Sequence, residues 1–209
     1  MSLIAWPHRA SSTPTSTVPL EREVASLFRR ACSKDRRFLV HSSNVARLSI
    51  RVGMTLGLDE RELGTLELAA VLHDVGKLTV PASIIAKPAA LDDAEWAVMR
   101  RHPVAGARLL EPFVSGQVLA IVRSHHERWD GRGYPDGLAG ERIPLGARIV
   151  AAADAFCAMI EPRPYREPRS TASAAAELLD QAGTQFDIAC ARATYRASAG
   201  AADGLAGLD

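Results

Sequence analysis

The sequence predicts an all-α fold, a helical bundle of about seven to nine helices. Apolar residues recur at three- and four-residue steps through most of residues 20–199. Almost no stretch alternates apolar and polar residues, as a half-buried strand would. Helix-capping residues and glycine or proline stops divide the chain at helix-length intervals.

The first helix is expected over Leu20–Ser33. A second runs from Asp35 to Leu56 and is closed by Gly57. On it His41, Val45, Leu48 and Val52 follow steps of four, three and four, so His41 lies on the apolar stripe. Asp59 caps a third helix that reaches about Asp74, where Gly76 ends it. Leu63, Leu66, Ala70 and His73 share one of its faces. Asp92 caps a fourth helix, "AEWAVMRRH", and Pro103 opens the next. Val114–His126 forms another, with Val118, Ile121, Val122 and His125 on one side. Pro144–Ile160 follows, where Val150, Asp154 and Cys157 face one way. Helices near 170–182 and 187–199 complete the bundle.

Composition bounds what such a domain does. Apolar residues are 47% of the 209-residue chain, enough for one sizeable core. A formal net charge of +1 offers no field for a nucleic-acid polymer or a membrane surface. No apolar run of about 18 residues suggests a membrane span, and no secretory signal is legible. Cys32, Cys157 and Cys190 are scattered, which suits a reducing, cytoplasmic setting without disulfides. Residues 1–19 are read as a flexible arm and 200–209 as a flexible tail, because their Ser/Thr/Pro and Ala/Gly content buries little apolar surface. Residues 20–199 form the folded domain in this reading.

Five of the six histidines, His41, His73, His102, His125 and His126, fall on or at the ends of amphipathic helices. Asp74 follows His73, and Asp154 sits on the small, apolar helix "IVAAADAFCAM". A single inward histidine is usually satisfied by a backbone carbonyl, and a single Asp by a cap or an ion pair. That explanation must here hold seven times. A buried carboxylate with no cation or donors costs several kcal/mol, and Asp154 has no Lys or Arg within one turn on its own helix. A divalent metal would supply the charge. Imidazole and carboxylate together suit Zn, Fe, Mn, Co or Ni. Seven ligands exceed one ion, whereas two ions sharing a carboxylate are a recurring device for phosphoester hydrolysis.

These residues carry a resemblance. "HDVGK" at 73–77 resembles the signature of HD-domain metal-dependent phosphohydrolases. "HHERWDGRGYPDGLAGERIP" at 125–144 resembles that of their HD-GYP subfamily. "HSSNVA" at 41, "RRHPVAGARLL" at 100, "ARIVAAADAFCAM" at 147, "RPYR" at 163 and "GTQFD" at 183 follow in the same order. The resemblance implies an HD-type helical bundle with its metal centre in the core. It also implies hydrolysis of cyclic di-GMP to linear pGpG, and onward to GMP, by a hydroxide held between ions. His41, His73, Asp74 and Asp154 would hold one ion. His102, His125, His126 and the shared Asp74 would hold the other, with Fe or Mn foremost among the metals.

Lys77 would sit on a phosphate oxygen, and Arg163 and Arg166 on phosphate or guanine edges. Tyr134 packs on substrate or supports the ligands. Asp35 fits three roles: orienting Lys77, accepting from a guanine, or capping its helix. Trp129 is read as a packing residue. The GYP loop is implied as a docking surface for diguanylate cyclase (GGDEF) domains.

Three positions depart from the family pattern. Arg37 replaces a glutamate that holds a third ion in some members, so two ions are expected. Cys157 replaces an aspartate, and "IEPRPYR" replaces "SDRPYR"; neither change removes an expected ligand. Two other functions compete: an HD phosphohydrolase for another nucleotide, and a catalytically weak signalling module. A standalone enzyme and a catalytic module of something larger are both compatible with the sequence.

Overall fold

A computed structural model describes residues 18–162 and 167–199. Among them are nine α-helices of seven residues or more and one four-residue turn of helix. The all-α class holds. The helices are α1 (Val18–Lys34), α2 (Phe38–Thr55), α3 (Glu60–Leu72), α4 (Ala82–Ile85), α5 (Asp93–Met99), α6 (His102–Leu110), α7 (Gly116–Ser124), α8 (Leu145–Ile160), α9 (Thr171–Asp180) and α10 (Ile188–Ala199). A short 3-10 helix, Val75–Thr79, lies between α3 and α4.

The ends of these helices follow local chemistry. Asp59 and Glu62 form a reciprocal capping box on α3, and Asp92 and Glu95 do the same on α5. Ser115 and Ser170 cap α7 and α9. Asp187 caps α10 by accepting from the backbone N–H groups of Ala189 and Cys190. Gly57, at φ +83°, ends α2. Its N–H bonds Met54 O and the Leu58 N–H bonds Gly53 O, so two orphan carbonyls are satisfied.

Helices α2 and α8 form the centre. Helix α2 packs on α3, α8 and α10, and α8 also touches α7 and α9. Val45 and Val52 of α2, Ala69 and Ala70 of α3, Val122 of α7 and Ala152 and Ala153 of α8 are fully buried between them. The alanines let the helix axes approach closely, and this brings polar side chains from different helices within reach at one end of the core.

Several boundaries shift by a residue or two, as where the expected Val114–His126 helix spans Gly116–Ser124, and two differences shape the site. The second helix does not begin at Asp35: the chain turns there, with Asp35 O accepting from Phe38 N and Asp35 Oδ1 from Arg37 N. The third helix stops at Leu72 and tightens into the 3-10 turn. Gly76 does not simply end a helix. A Cβ there would lie 1.9 Å from His102 O and 2.5 Å from Gly106 N, so the glycine lets α6 press directly on the backbone of this turn.

Candidate metal centre

Five elements meet at the centre. Helix α2 brings His41, and the C-terminal end of α3 brings His73 followed by Asp74. The first residue of α6 is His102. The C-terminal end of α7 brings His125 and His126, and the middle of α8 brings Asp154. His41, Asp74, His102, His126 and Asp154 line the floor of a cavity of about 570 Å³, with His73 and His125 buried behind them; Phe38, Ile84, Ile85, Leu91, Trp96 and Met99 wall it, and Asp35, Arg37, Lys77, Tyr134 and Glu161 edge it. The volume suits a nucleotide-sized ligand.

The histidine rings are pinned from behind. Nδ1 of His73, His102 and His125 lies 2.7, 2.8 and 2.7 Å from the carbonyls of Ala70, Met99 and Val122, each three residues earlier. A carbonyl only accepts, so each Nδ1 carries the proton and each Nε2 presents a lone pair to the interior. His102 Nε2 and His125 Nε2 are 3.3 Å apart, and they lie 3.1 and 3.9 Å from Asp74 Oδ1. Two lone pairs and a carboxylate oxygen converging at these distances repel unless a cation lies among them.

The spacings fit one. Ligands about 2.1 Å from a common ion lie about 3.0 Å apart at right angles and about 4.2 Å apart when opposite. His126 completes this group of four; ligand atoms of His41, His73 and Asp74 form a second group, each within 4.8 Å of one another. Asp74 belongs to both. Its Oδ1 faces His102 and His125, and its Oδ2 faces His73 at 3.4 Å and the Lys77 ammonium. His73 Nε2 and Asp74 Oδ1 are buried without a hydrogen bond. In a native core such atoms call for a partner, an ordered water or an ion. Asp154 Oδ1 lies 2.9 Å from His41 Nε2.

Electrostatics separate the two sides. Burial, reinforced by His102, pushes His126 down to about 3. His125 is held low by burial and by His126, His73 and His102. Both imidazoles are therefore neutral, as cation binding requires. His41 is opposite in sign: burial disfavours its charge, but hydrogen bonds to Asp154 and Glu161 outweigh this and raise it to about 10. Burial opposes the ionised form of Asp74, yet the Lys77 ammonium on its Oδ2 keeps it well below the usual carboxylate range. Burial likewise opposes ionised Asp154, and the His41 hydrogen bond overcomes it.

Some expected residues have other partners. Lys77 is in the cavity, but its ammonium rests on Asp74 Oδ2. Asp35 does not hydrogen-bond Lys77; it receives the Arg37 guanidinium, with Nε and Nη2 each 3.2 Å from a carboxylate oxygen. Tyr134 stacks on His126 with ring centroids 4.9 Å apart, so it supports a ligand-type ring directly. Burial raises its phenol above the ordinary tyrosine range, so the hydroxyl stays protonated. Trp129 pairs its backbone N–H with Gln185 O and lies beneath the Arg148 guanidinium, as a packing residue does. Arg163 and Arg166 lie outside the described residues.

Two carboxylates beside the centre escaped the sequence reading. Glu127 is buried and accepts from the backbone N–H groups of Asp136 and Leu138, so the loop after His126 hangs from it. A Cβ at Gly133 would lie 2.3 Å from Arg128 N, so this loop also lies directly on the segment that carries Glu127. Glu161 Oε2 lies 2.8 Å from His41 Nδ1. The signals were faint: Glu127 adjoins the paired histidines, and Glu161 lies one turn beyond Cys157.

Known proteins are similar to this chain. The HD domain family model matches residues 21–190. A cyclic di-GMP phosphodiesterase response regulator, RpfG of Xanthomonas campestris, is 45% identical over 86% of this chain and 49% of its own length. A cyclic di-GMP phosphodiesterase of Thermotoga maritima is 38% identical over 70% of this chain and 40% of its own. A 3'3'-cGAMP-specific phosphodiesterase of Vibrio cholerae is 37% identical over 74% and 30%. The chain thus spans less than half the length of these relatives. Among solved structures, a HDG"Y"P protein of Bdellovibrio bacteriovorus superposes with a TM-score of 0.65 at 23% identity, covering 86% of this chain and 61% of that one. The phosphodiesterase PgpH HD domain of L. monocytogenes in complex with cyclic-di-AMP gives 0.61 at 15% identity, over 88% and 98%. At these identities the structures speak for the fold alone.

Proposed function

The chain belongs to the HD domain family, and from that premise we propose that it is a metal-dependent phosphodiesterase acting on a cyclic dinucleotide, cyclic di-GMP, and releasing linear pGpG. The observation that carries this reading is the position of Asp74, whose two carboxylate oxygens face two separate sets of inward imidazoles at the floor of a nucleotide-sized cavity. One carboxylate spanning two sets is what a paired-ion phosphoesterase needs. Relatives at 38–45% identity that act on cyclic di-GMP support the substrate.

We assign His41, His73, Asp74 and Asp154 to one divalent ion and His102, His125, His126 and Asp74 to the other. The imidazole and carboxylate donors suit divalent transition metals generally, and we take Fe or Mn as the occupants. When bound, two such ions supply Lewis acidity that activates water and offsets charge on phosphorus. The chain's own groups do the remainder. Neutral His125 and His126 offer lone pairs without first losing a proton. Lys77 places an ammonium at the floor, where it meets a phosphate oxygen as charge develops there. Tyr134 holds the His126 ring by stacking, and its phenol faces the same cavity.

Arg163 and Arg166 are assigned to the phosphates or guanine edges on the chemistry of the guanidinium fork. Arg37, held on Asp35 at the cavity edge, places a cation where a third ion would need an anion, which supports two ions. The loop carrying Gly133, Tyr134 and Pro135 remains our candidate for docking GGDEF domains.

A second reading has an observation of its own: relatives at 35–37% identity are 3'3'-cGAMP-specific. Turnover of cyclic di-GMP, 3'3'-cGAMP and cyclic di-AMP by Mn(II)-loaded protein, with chromatographic product identification, separates the two. The highest kcat/KM is expected for cyclic di-GMP, with pGpG as the first product. Intact cyclic di-GMP beside cleaved 3'3'-cGAMP would establish the second reading instead.

A further inference from the structure

His73, His102 and His125 direct Nδ1 at main-chain carbonyls, which no side-chain substitution removes. His41 is held differently. Its Nδ1 lies 2.8 Å from Glu161 Oε2, a carboxylate at the C-terminal end of α8, 120 residues away in sequence. We propose that Glu161 is the positioning residue for His41, and so sets cation affinity on the His41–His73 side of the centre alone.

The directions of the hydrogen bonds that join Glu161 to His41 and Asn44 support this. Arg47 Nη2 donates to Asn44 Oδ1 at 2.8 Å, which fixes which way the Asn44 amide points. Asn44 Nδ2 then donates to Glu161 Oε1 at 2.9 Å. Glu161 Oε1 thereby accepts, and the His41 Nδ1 facing Oε2 is placed to donate to the carboxylate's other oxygen. That leaves His41 Nε2, on the far edge of the ring, to face Asp154 and the interior. Glu161 sits behind the ring and is not itself a ligand to an ion at Nε2. A carboxylate accepts more strongly than a carbonyl, so it makes the imidazole a better donor to a cation as well as orienting it. Asn44 and Arg47 lie on α2 with His41, so one helix carries the histidine and the groups that hold its carboxylate.

The inference rests on the metal reading of the cavity, and the test separates the two. Mn(II) is titrated into metal-stripped wild-type protein, Glu161→Ala, Glu161→Gln and Asn44→Ala, with a competing chelator and thermal unfolding in parallel. Losses of 10–100-fold are typical when such a partner is removed. The expected result is that Glu161→Ala loses affinity by roughly that factor for one of two equivalents, with the other unchanged and Tm within a few degrees. Glu161→Gln keeps an acceptor for His41 and recovers most of the affinity; Asn44→Ala loses less than Glu161→Ala. Two unchanged equivalents in Glu161→Ala would overturn the inference and leave the metal reading standing. Equal weakening of both, with a large fall in Tm, would overturn it in favour of a structural role. A wild-type chain that binds no Mn(II) would overturn the metal reading itself, and this inference with it.

Discussion

Replacing Gly76 with Ala tests how the centre is assembled. The added Cβ would lie 1.9 Å from His102 O, 2.5 Å from Gly106 N and 2.9 Å from His102 C. All three atoms are backbone, so no side-chain rotation relieves the contact. Helix α6 and the Val75–Thr79 turn must separate by roughly 1 Å before such a contact becomes tolerable. Overpacking of this kind costs typically 1–3 kcal/mol, and a backbone obstacle puts this site at about 3. For a domain of this size that lowers Tm by roughly 6–12 °C. The same shift carries His102 away from Asp74, now 3.1 Å from it, and opens the ligand spacing on that side. The measurements are urea unfolding and Mn(II) titration. Gly64, exposed on α3 with open space for 4 Å around an added Cβ, is the control. Gly64→Ala should gain about 0.5–1 kcal/mol. If Gly76→Ala unfolded within about 0.5 kcal/mol of wild type and kept its Mn(II) affinity, the close approach of α6 would be refuted.

Other expectations follow the same geometry. Glu127→Ala strips the partners from the Asp136 and Leu138 N–H groups and should cost about 1–3 kcal/mol, with faster proteolysis within the 131–140 loop; an unchanged cleavage rate there would count against Glu127 as its anchor. Thiol titration of native protein at pH 8 should leave buried Cys157 and Cys190 unreacted, since burial raises both thiols, while partly exposed Cys32 reacts slowly. Rapid reaction of all three would contradict the packing of α8 and α10. Because His41 is raised to about 10 and His126 depressed to about 3, an ion on the His41 side should displace a proton at pH 8, and one on the His126 side none from that ring. Affinity on the His41 side should therefore rise with pH up to about 10. Calorimetry in buffers of different ionisation enthalpy reads the proton count, and no release at pH 8 would refute the His41 assignment.

How much of this was legible beforehand differs by residue. His41, His73 and His125 announce themselves by lying on apolar helical stripes and Asp154 by its small, apolar helix, where periodicity places them inward; Asp74 is marked only by following His73. His102 and His126 sit at helix ends, where periodicity has less to say, and they came in as members of the set of five histidines. The break at Asp35–Arg37 was hidden because charged residues continue a helical pattern without objecting to it. The 3-10 turn was hidden for another reason: the role of Gly76 depends on α6, which comes some 25 residues later, and a steric contact between distant backbones leaves no periodic trace. Glu161 escaped notice because a glutamate at a helix end is ordinarily solvated, and its partner is 120 residues away.

The central claim is a centre of two ions joined through Asp74. Metal content after Mn(II) loading and desalting, for wild type and Asp74→Ala together, tests it most directly. Two equivalents per wild-type chain are predicted, and loss of both in Asp74→Ala, with the helical circular dichroism of the variant retained. One equivalent in wild type, or an Asp74→Ala chain that still holds two, would contradict it.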